Sequence, residues 1–326
     1  MQMILHYIVQ QLNMFKNKYM TTEQLVEFGR THSWVIKTGA KQVALRKHCT
    51  VEQVYEARRI LKKERNTRKY NSSVPKILLF DIETAPMQAY VWGRWKQNIS
   101  LSETISEWFV ICWSAKWLYA DEVMSGCLTP KEALKEDDSR IVKDLWKLFD
   151  EADIIVAHNG NYFDIPRMNS RFVINGLPSP SPYFRVDTCN VAKKQFGFSS
   201  NKLDALAGYF DIPCKLDTTF ELWRDCLKGD QEALDYMVTY NKKDVEILEQ
   251  VYLRLRSYIK GHPNVANLVN KDCCSVCGCE ELTPIEGKYY YNSISKYPLY
   301  RCTCCGSIVR GRKSITKGPS TVNICR

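Results

Sequence analysis

Lys76-Ile77-Leu78-Leu79-Phe80-Asp81-Ile82-Glu83 is the stretch that organises the chain. Pro75 precedes it, and the apolar residues Ile77 to Phe80 run straight into two carboxylates separated by one residue. A short apolar run of this kind reads as a buried strand. Strand side chains alternate between faces, so Asp81 and Glu83 share one face while Ile82 takes the other. Two carboxylates side by side repel each other, which is costly unless a cation or a shared proton relieves it. The pair is therefore a candidate divalent-metal site. A strand that simply ends in polar residues shows the same pattern, so the partners must come from elsewhere in the chain.

The 326 residues, 45% of them hydrophobic, suffice for one sizeable core and one or two smaller units. The net charge of +10 is unevenly spread. Residues 1–74 hold 14 Lys+Arg against 5 acids, residues 75–262 hold 23 against 27, and residues 263–326 hold 9 against 4. Basic ends favour a polyanionic partner, and an acidic middle suits a cation site. A solvated basic surface would give the same balance. No segment is apolar for long enough to span a membrane. Met1 to Met14 lacks a charged n-region and a small-residue cleavage site, so no secretion signal is expected and the chain reads as cytoplasmic. Eight of the 14 cysteines fall after residue 272, which suggests a metal site in a reducing compartment more than a disulfide framework.

Residues 1–74 read as a basic helical region and linker. Thr21, Thr22 and Glu23 resemble a helix start. A second helix is expected over 39–48, with Ala40, Val43 and Ala44 on one face. Cys49-Thr50 makes a break, and a third helix over 51–64 turns Val54, Ala57 and Leu61 inward. Helix, short turn and helix resembles a helix-turn-helix, a pattern that a plain packing domain shares. Seven basic residues between Arg58 and Lys69, against the single acid Glu64, favour nucleic acid. Asn71-Ser72-Ser73 reads as the linker.

Residues 75–262 read as one mixed α/β domain. Strands are expected at 89–95 and 107–118, rich in Trp, Phe, Tyr and Val. A helix over about 138–151 puts Ile141, Leu145, Leu148 and Phe149 on one face. A strand from Asp153 to His158 leads into Asn159-Gly-Asn-Tyr-Phe163-Asp164-Ile-Pro166, with a helix starting near Phe163. Val186-Asp187 closes a short strand, and helices are expected near 188–196, 202–210 and 230–258. Helices interleaved with strands indicate a mixed sheet flanked by helices. Asp164 lies just past a strand end, where loops carry chemistry. Asp244 lies on the long helix four residues after Tyr240, so the two face the same way. Separately, Asp164 could cap a helix and Asp244 could make a surface ion pair.

Phe80-Asp81-Ile82-Glu83-Thr84, Asn159-x3-Phe163-Asp164-x-Pro166 and Tyr240-x3-Asp244 resemble, in order, the three motifs of the DEDD superfamily of exonucleases, tyrosine subtype. The form is closest to the proofreading domain of B-family DNA polymerases and to stand-alone ribonuclease-H-like exonucleases. Asn201-Lys-Leu-Asp-Ala-Leu-Ala207 resembles the helix that precedes the third motif. The resemblance covers about residues 75–260, and no polymerase palm follows. It implies a ribonuclease-H-like fold and a metal-dependent 3′–5′ exonuclease acting on nucleic acid, DNA with a free 3′ end. It implies two Mg²⁺ or Mn²⁺ ions held by Asp81, Glu83, Asp164 and Asp244, hard oxygen ligands that suit those ions. Tyr240 would hold the attacking water in line, and Thr84, Asn159 and Phe163 would contact the terminal nucleotides. Turn former and core filler are the plainer roles for Asn159 and Phe163. His158 is read as structural, because Tyr240 occupies the place where another subtype has a histidine. An RNA-trimming enzyme and an inert nucleic-acid-binding adaptor are the alternative readings.

The remaining residues, 263–326, carry Cys274-Ser-Val-Cys277-Gly278 and, later, Cys302-Thr-Cys-Cys305-Gly306. Paired Cys-x2-Cys knuckles, each followed by Gly, resemble a zinc ribbon with one structural Zn²⁺. Cys273, Cys279 and Cys304 are alternative ligands. The tyrosines between the knuckles, from Tyr289 to Tyr300, serve strand packing or base stacking. Arg310, Arg312, Lys313, Lys317 and Arg326 follow with no acid and make a basic tail.

Overall fold

The computed structural model describes residues 20–31, 39–69, 75–213, 216–293 and 295–315, with the side chains of 29–31 and 62–69 left aside. The start from Met1 to Met14, the 71–73 linker, the side chains of Lys62 to Lys69, and Lys317 and Arg326 lie outside what is described. The chain divides into two compact units, residues 1–72 and 73–326.

The first unit contains α1 (Thr22–Thr31), α2 (Ala40–Lys47) and α3 (Val51–Lys69). Two of these begin with a reciprocal side-chain cap. Thr21 and Gln24 exchange hydrogen bonds with each other's backbone N–H at the head of α1. Thr50 and Gln53 do the same at the head of α3. Leu25, Val43, Ala44, Val54, Ala57 and Leu61 form the small core, which places the second and third helices where their apolar spacing puts them.

The second unit is built on a five-stranded sheet in the order β5-β4-β1-β6-β7. These strands are β1 (Ile77–Thr84), β4 (Val110–Trp117), β5 (Met124–Cys127), β6 (Ile154–Ala157) and β7 (Phe184–Asp187). β1 runs antiparallel to β4 and parallel to β6. Both faces of β1 are covered, which explains an unbroken apolar run at its start. Leu78, Phe80 and Ile82 enter one core, where Phe80 meets Phe149 edge to face at 4.9 Å. Ile77 and Leu79 enter the opposite core, against Val245, Leu248 and Tyr252.

The helices flanking the sheet are α4 (Pro130–Lys135), α5 (Ser139–Glu151), α6 (Asp164–Ile174), α7 (Thr188–Gln195), α8 (Leu203–Tyr209), α9 (Phe220–Leu227), α10 (Gln231–Leu255) and α11 (Val265–Leu268). α10 packs across β1, β4 and β5. A buried ion pair between Lys116 of β4 and Glu249 fixes its register, and Glu249 also accepts from Tyr119 N–H at 3.0 Å. On α5, Ile141, Val142, Leu145 and Phe149 are buried, while Leu148 is only partly so.

One expected strand is absent. Only Gln88–Ala89 (β2) pairs, with Thr104–Ser106 (β3), and the chain from Tyr90 leaves the sheet as an exposed loop. Aromatic and β-branched residues there suggested a strand. They find no partner strand, and strand preference is realised only through cross-strand packing.

The end of the second unit is a three-stranded antiparallel sheet of β8 (Leu282–Tyr291), β9 (Lys296–Cys302) and β10 (Ile308–Arg310). Gly278 and Gly306 follow the knuckles at φ of +73° and +77°, a backbone state that favours glycine.

Candidate functional site

The face that carries Ile77 and Leu79 into the core carries Asp81 and Glu83 at the end of β1. There α10 supplies Asp244 in place of a further apolar residue. Asp81, Glu83 and Asp244 each present a carboxylate oxygen, and the three lie within 4.8 Å of one another. Asp244 is buried, so it is not a surface ion-pair residue. Asn241, one turn earlier on α10 and fully buried, donates its Nδ2 to Asp81 Oδ2 at 2.7 Å.

Asp164 stands outside that trio but lines the same cleft of about 750 Å³. It reaches its place through a tight turn. Asn159 sits at φ +65°, and a Cβ on Gly160 would overlap Ala157, so the chain bends sharply off β6. Phe163 takes the cap position, and Asp164 is the first residue of α6 rather than its cap. Its Oδ1 accepts from Ile82 N–H at 3.4 Å. Burial pushes the Asp164 carboxyl up to about 7, with Asp187 adding to the rise and backbone N–H groups and Arg167 opposing it.

The turn is held by a residue that the motifs do not contain. Asp187, at the end of β7, accepts from the N–H groups of Asn159, Asn161 and Asn190 at 3.0–3.1 Å. A buried carboxylate after a short strand and before a helix is the sequence signal for such a cap. Asn241 carries no comparable signal, because its value lies wholly in what it faces.

The predicted contact residues separate. Asn159 and Phe163 line the acidic cleft, whereas Thr84 lines a neighbouring cavity of about 360 Å³ with Trp108, Phe220 and Trp223. Phe163 is 36% exposed, so it does not fill the core. Arg167 lines that second cavity, its guanidinium 4.4 Å from the Phe163 ring and 4.5 Å from the Trp108 ring. It also approaches Thr84 Oγ1 at 3.5 Å. Arg171 instead pairs with the buried Asp138 at 2.6 Å. Tyr240 is buried against Trp223 and is not part of the cleft lining, although it sits one turn before Asp244.

His158 is held from both sides. Its Nδ1 lies 2.9 Å from Thr188 Oγ1, and its Nε2 lies 2.9 Å from the Asn201 carbonyl. A carbonyl only accepts, so Nε2 carries a proton and the ring ties β6 to the loop before α8. That loop lines the cleft with Ser199 to Lys202, while α7 contributes Lys193.

The donor set fits hard divalent cations. Oxygens sharing one octahedral Mg²⁺ stand about 3–4 Å apart, and the three carboxylates lie close enough to converge on one such ion. Asp164 offers a further oxygen in the same cleft, and a cation there would favour its charged form.

The second metal candidate lies in the small sheet. Cys274, Cys277, Cys302 and Cys305 come together with all four Sγ atoms within 4.8 Å. The Cys274–Cys305 and Cys277–Cys302 separations are 3.7 and 3.5 Å. A tetrahedron with Zn–S of about 2.3 Å has edges of about 3.8 Å, so the quartet fits Zn²⁺. Hydrogen bonds from Cys274 and Cys277 hold the Cys302 thiol below its ordinary range. Of the alternative ligands, Cys279 and Cys304 form a disulfide with each other, and Cys273 stands outside the quartet. The cysteine cluster therefore contains one disulfide as well as the metal candidate.

Among the described residues, no helix is long and apolar enough to cross a membrane. Residues 118–256 match the RNase_H_2 family model, of the RNase_H superfamily. That span contains Asp164, Tyr240 and Asp244 and begins after β1. No curated protein matches the chain. A solved structure that matches is the family B DNA polymerase from the hyperthermophilic archaeon Pyrobaculum calidifontis, at 18% identity and a TM-score of 0.39. The match covers 70% of this chain and 33% of the polymerase, so the chain spans about a third of that protein's length. The second unit thus has a ribonuclease-H-like mixed α/β fold, and over residues 118–256 its sequence matches the RNase_H superfamily.

Proposed function

We propose that the chain is a metal-dependent nuclease that removes nucleotides from the 3′ end of a DNA strand. The observation that carries this reading is the convergence of Asp81, Glu83 and Asp244 on one spot, with Asp164 in the same cleft. The RNase_H superfamily match supports it, as do the motifs around the four acids.

Asp81, Glu83, Asp164 and Asp244 are the residues that would hold two Mg²⁺ or Mn²⁺ ions. When bound, such ions neutralise the phosphodiester's charge and acidify a water. The protein's own groups do the remaining work. Asn241 orients Asp81 through a buried hydrogen bond. Lys193 and Lys202 line the same cleft, beside Asp204, and can meet a strand's phosphates. Phe163, backed by the Arg167 guanidinium, offers a ring edge or face to a terminal base. The motif resemblance gives Tyr240 the positioning of an attacking water, and its buried ring against Trp223, outside the cleft lining, does not by itself support that role. Substitution by Phe measures that role directly. The Cys274, Cys277, Cys302 and Cys305 quartet would hold one structural Zn²⁺, since protein ligands fill all four positions.

The test is digestion of matched DNA and RNA strands, labelled at either end, with Mg²⁺ or Mn²⁺. Stepwise loss from the 3′ end of DNA, abolished by Asp81→Asn with Glu83→Gln, is the expected result. Full activity in that double variant would refute the assignment, and equal or better digestion of RNA would reassign the substrate.

A further inference from the structure

Every residue from Tyr90 to Ser102 is exposed. Within this loop Trp92 is 99% and Trp95 is 85% exposed, and Tyr90 and Leu101 are 75% and 88% exposed. Four large apolar side chains this exposed within one loop of 13 residues are more than single scattered hydrophobics and point to an interaction surface. The loop is not a loose excursion. Its base is pinned by the β2–β3 pairing and by Tyr90 N–H donating to the Glu103 carbonyl at 2.9 Å. Its return is capped by Ser100 and Glu103, each of which bonds the other's backbone.

The composition selects the occupant. Between Ala85 and Ser102 there is no acid, and Arg94 and Lys96 flank Trp95. The basic first 74 residues, with 14 Lys+Arg against 5 acids, do not complement such a surface. A polyanion does. Indole faces alternating with cations fit a strand whose bases are unpaired, because stacking needs an open π-face and the cations meet phosphates. A duplex hides its base faces and offers only the charge term.

Position supports the same partner. Gln88 is four residues beyond Thr84, so the root of the arm lies within about 14 Å of the end of β1. β1 carries Asp81 and Glu83. We infer that the Tyr90–Leu101 arm is a stacking clamp for single-stranded nucleic acid, holding the strand a few nucleotides from the acidic cleft. This rests on the proposed nuclease reading only for its purpose. The binding itself is read without cleavage.

The experiment uses the full chain carrying Asp81→Asn, so that the probe survives, and a dye-labelled single strand of about 15 nucleotides. Trp92→Ala with Trp95→Ala should weaken binding at least tenfold, while Trp92→Phe with Trp95→Phe restores most of it. Affinity for a blunt duplex of the same sequence should change less than twofold. In the otherwise native chain the double alanine variant should leave kcat on a dinucleotide unchanged and raise KM on the long strand. Equal single-strand affinity in wild type and the alanine variant overturns the proposal. So does self-association in sedimentation that the alanine variant abolishes without loss of strand binding, which would make the arm a contact between copies. If the native chain cleaves nothing yet the binding loss is seen, the nuclease reading fails and the clamp stands.

Discussion

Asn241 Nδ2 donates to Asp81 Oδ2 at 2.7 Å, and it does so from the turn of α10 that precedes Asp244. One helix therefore supplies both an acid of the cluster and the group that orients another. Asn241→Leu should lower kcat by about tenfold or more with little change in KM, because it frees Asp81 to rotate without removing a carboxylate. Asn241→Asp should be worse, since a fourth carboxylate against the trio adds repulsion. Steady-state rates at saturating Mn²⁺ separate the two. Unchanged rates in Asn241→Leu would remove Asn241 from the site.

Asp164 sets a burial cost against its proposed role in the cleft. Its carboxyl is buried, and its charged form is disfavoured by burial. Asp164→Asn should stabilise the metal-free protein by about 1–3 kcal/mol, the scale of a relieved desolvation cost. The same variant should lose activity. Urea melts in the absence of added divalent cation, set beside nuclease rates, test the pairing. A destabilised variant would show that the carboxylate is structural.

The buried Lys116–Glu249 pair ties β4 to α10. Removing one partner leaves a buried charge, at a cost of about 3–5 kcal/mol. Lys116→Met should therefore lower the melting temperature sharply, and Lys116→Met with Glu249→Leu should recover much of the loss. A double variant no better than the single would mean that the Tyr119 N–H bond to Glu249 carries the effect.

The cysteine quartet makes a separate prediction. Full-length protein should carry about one zinc per chain by elemental analysis. Cys277→Ser should lose the zinc and make residues 263–315 sensitive to protease, because metal binding stands in for the core this small sheet lacks. Cys279→Ser with Cys304→Ser should remove the disulfide and keep the zinc. Loss of zinc in that second variant would move the ligand set to the other cluster, Cys279, Cys302 and Cys304.

Much of this was legible without coordinates, for physical reasons. β1 could be read because burial on both faces demands an unbroken apolar run. Asp81 and Glu83 could be paired because strand geometry leaves no alternative face. Helix α5 was readable from the periodic placement of Ile141, Leu145 and Phe149. Residues 89–95 misled, because strand propensity is a property of packed neighbours, and Trp92 and Trp95 stand almost wholly exposed. β5, α4 and α9 were missed, being only four to eight residues long.

The amino-acid order by itself determined the elements that carry chemistry. It set the local face shared by the two carboxylates of β1, the knuckle spacing of the cysteines and the charge of each segment, all of which follow from neighbours along the chain. Tertiary structure alone decided which residues far apart along the chain meet, from the 25 positions between Cys279 and Cys304 to the 160 between Asp81 and Asn241. It placed Asp244 beside Asp81 and Glu83, put Asn241 behind Asp81, used Asp187 to hold the Asn159 turn, and paired Cys279 with Cys304 beside the quartet. Such contacts depend on how α10 crosses the sheet and how strands pair at long range, and no local period encodes that.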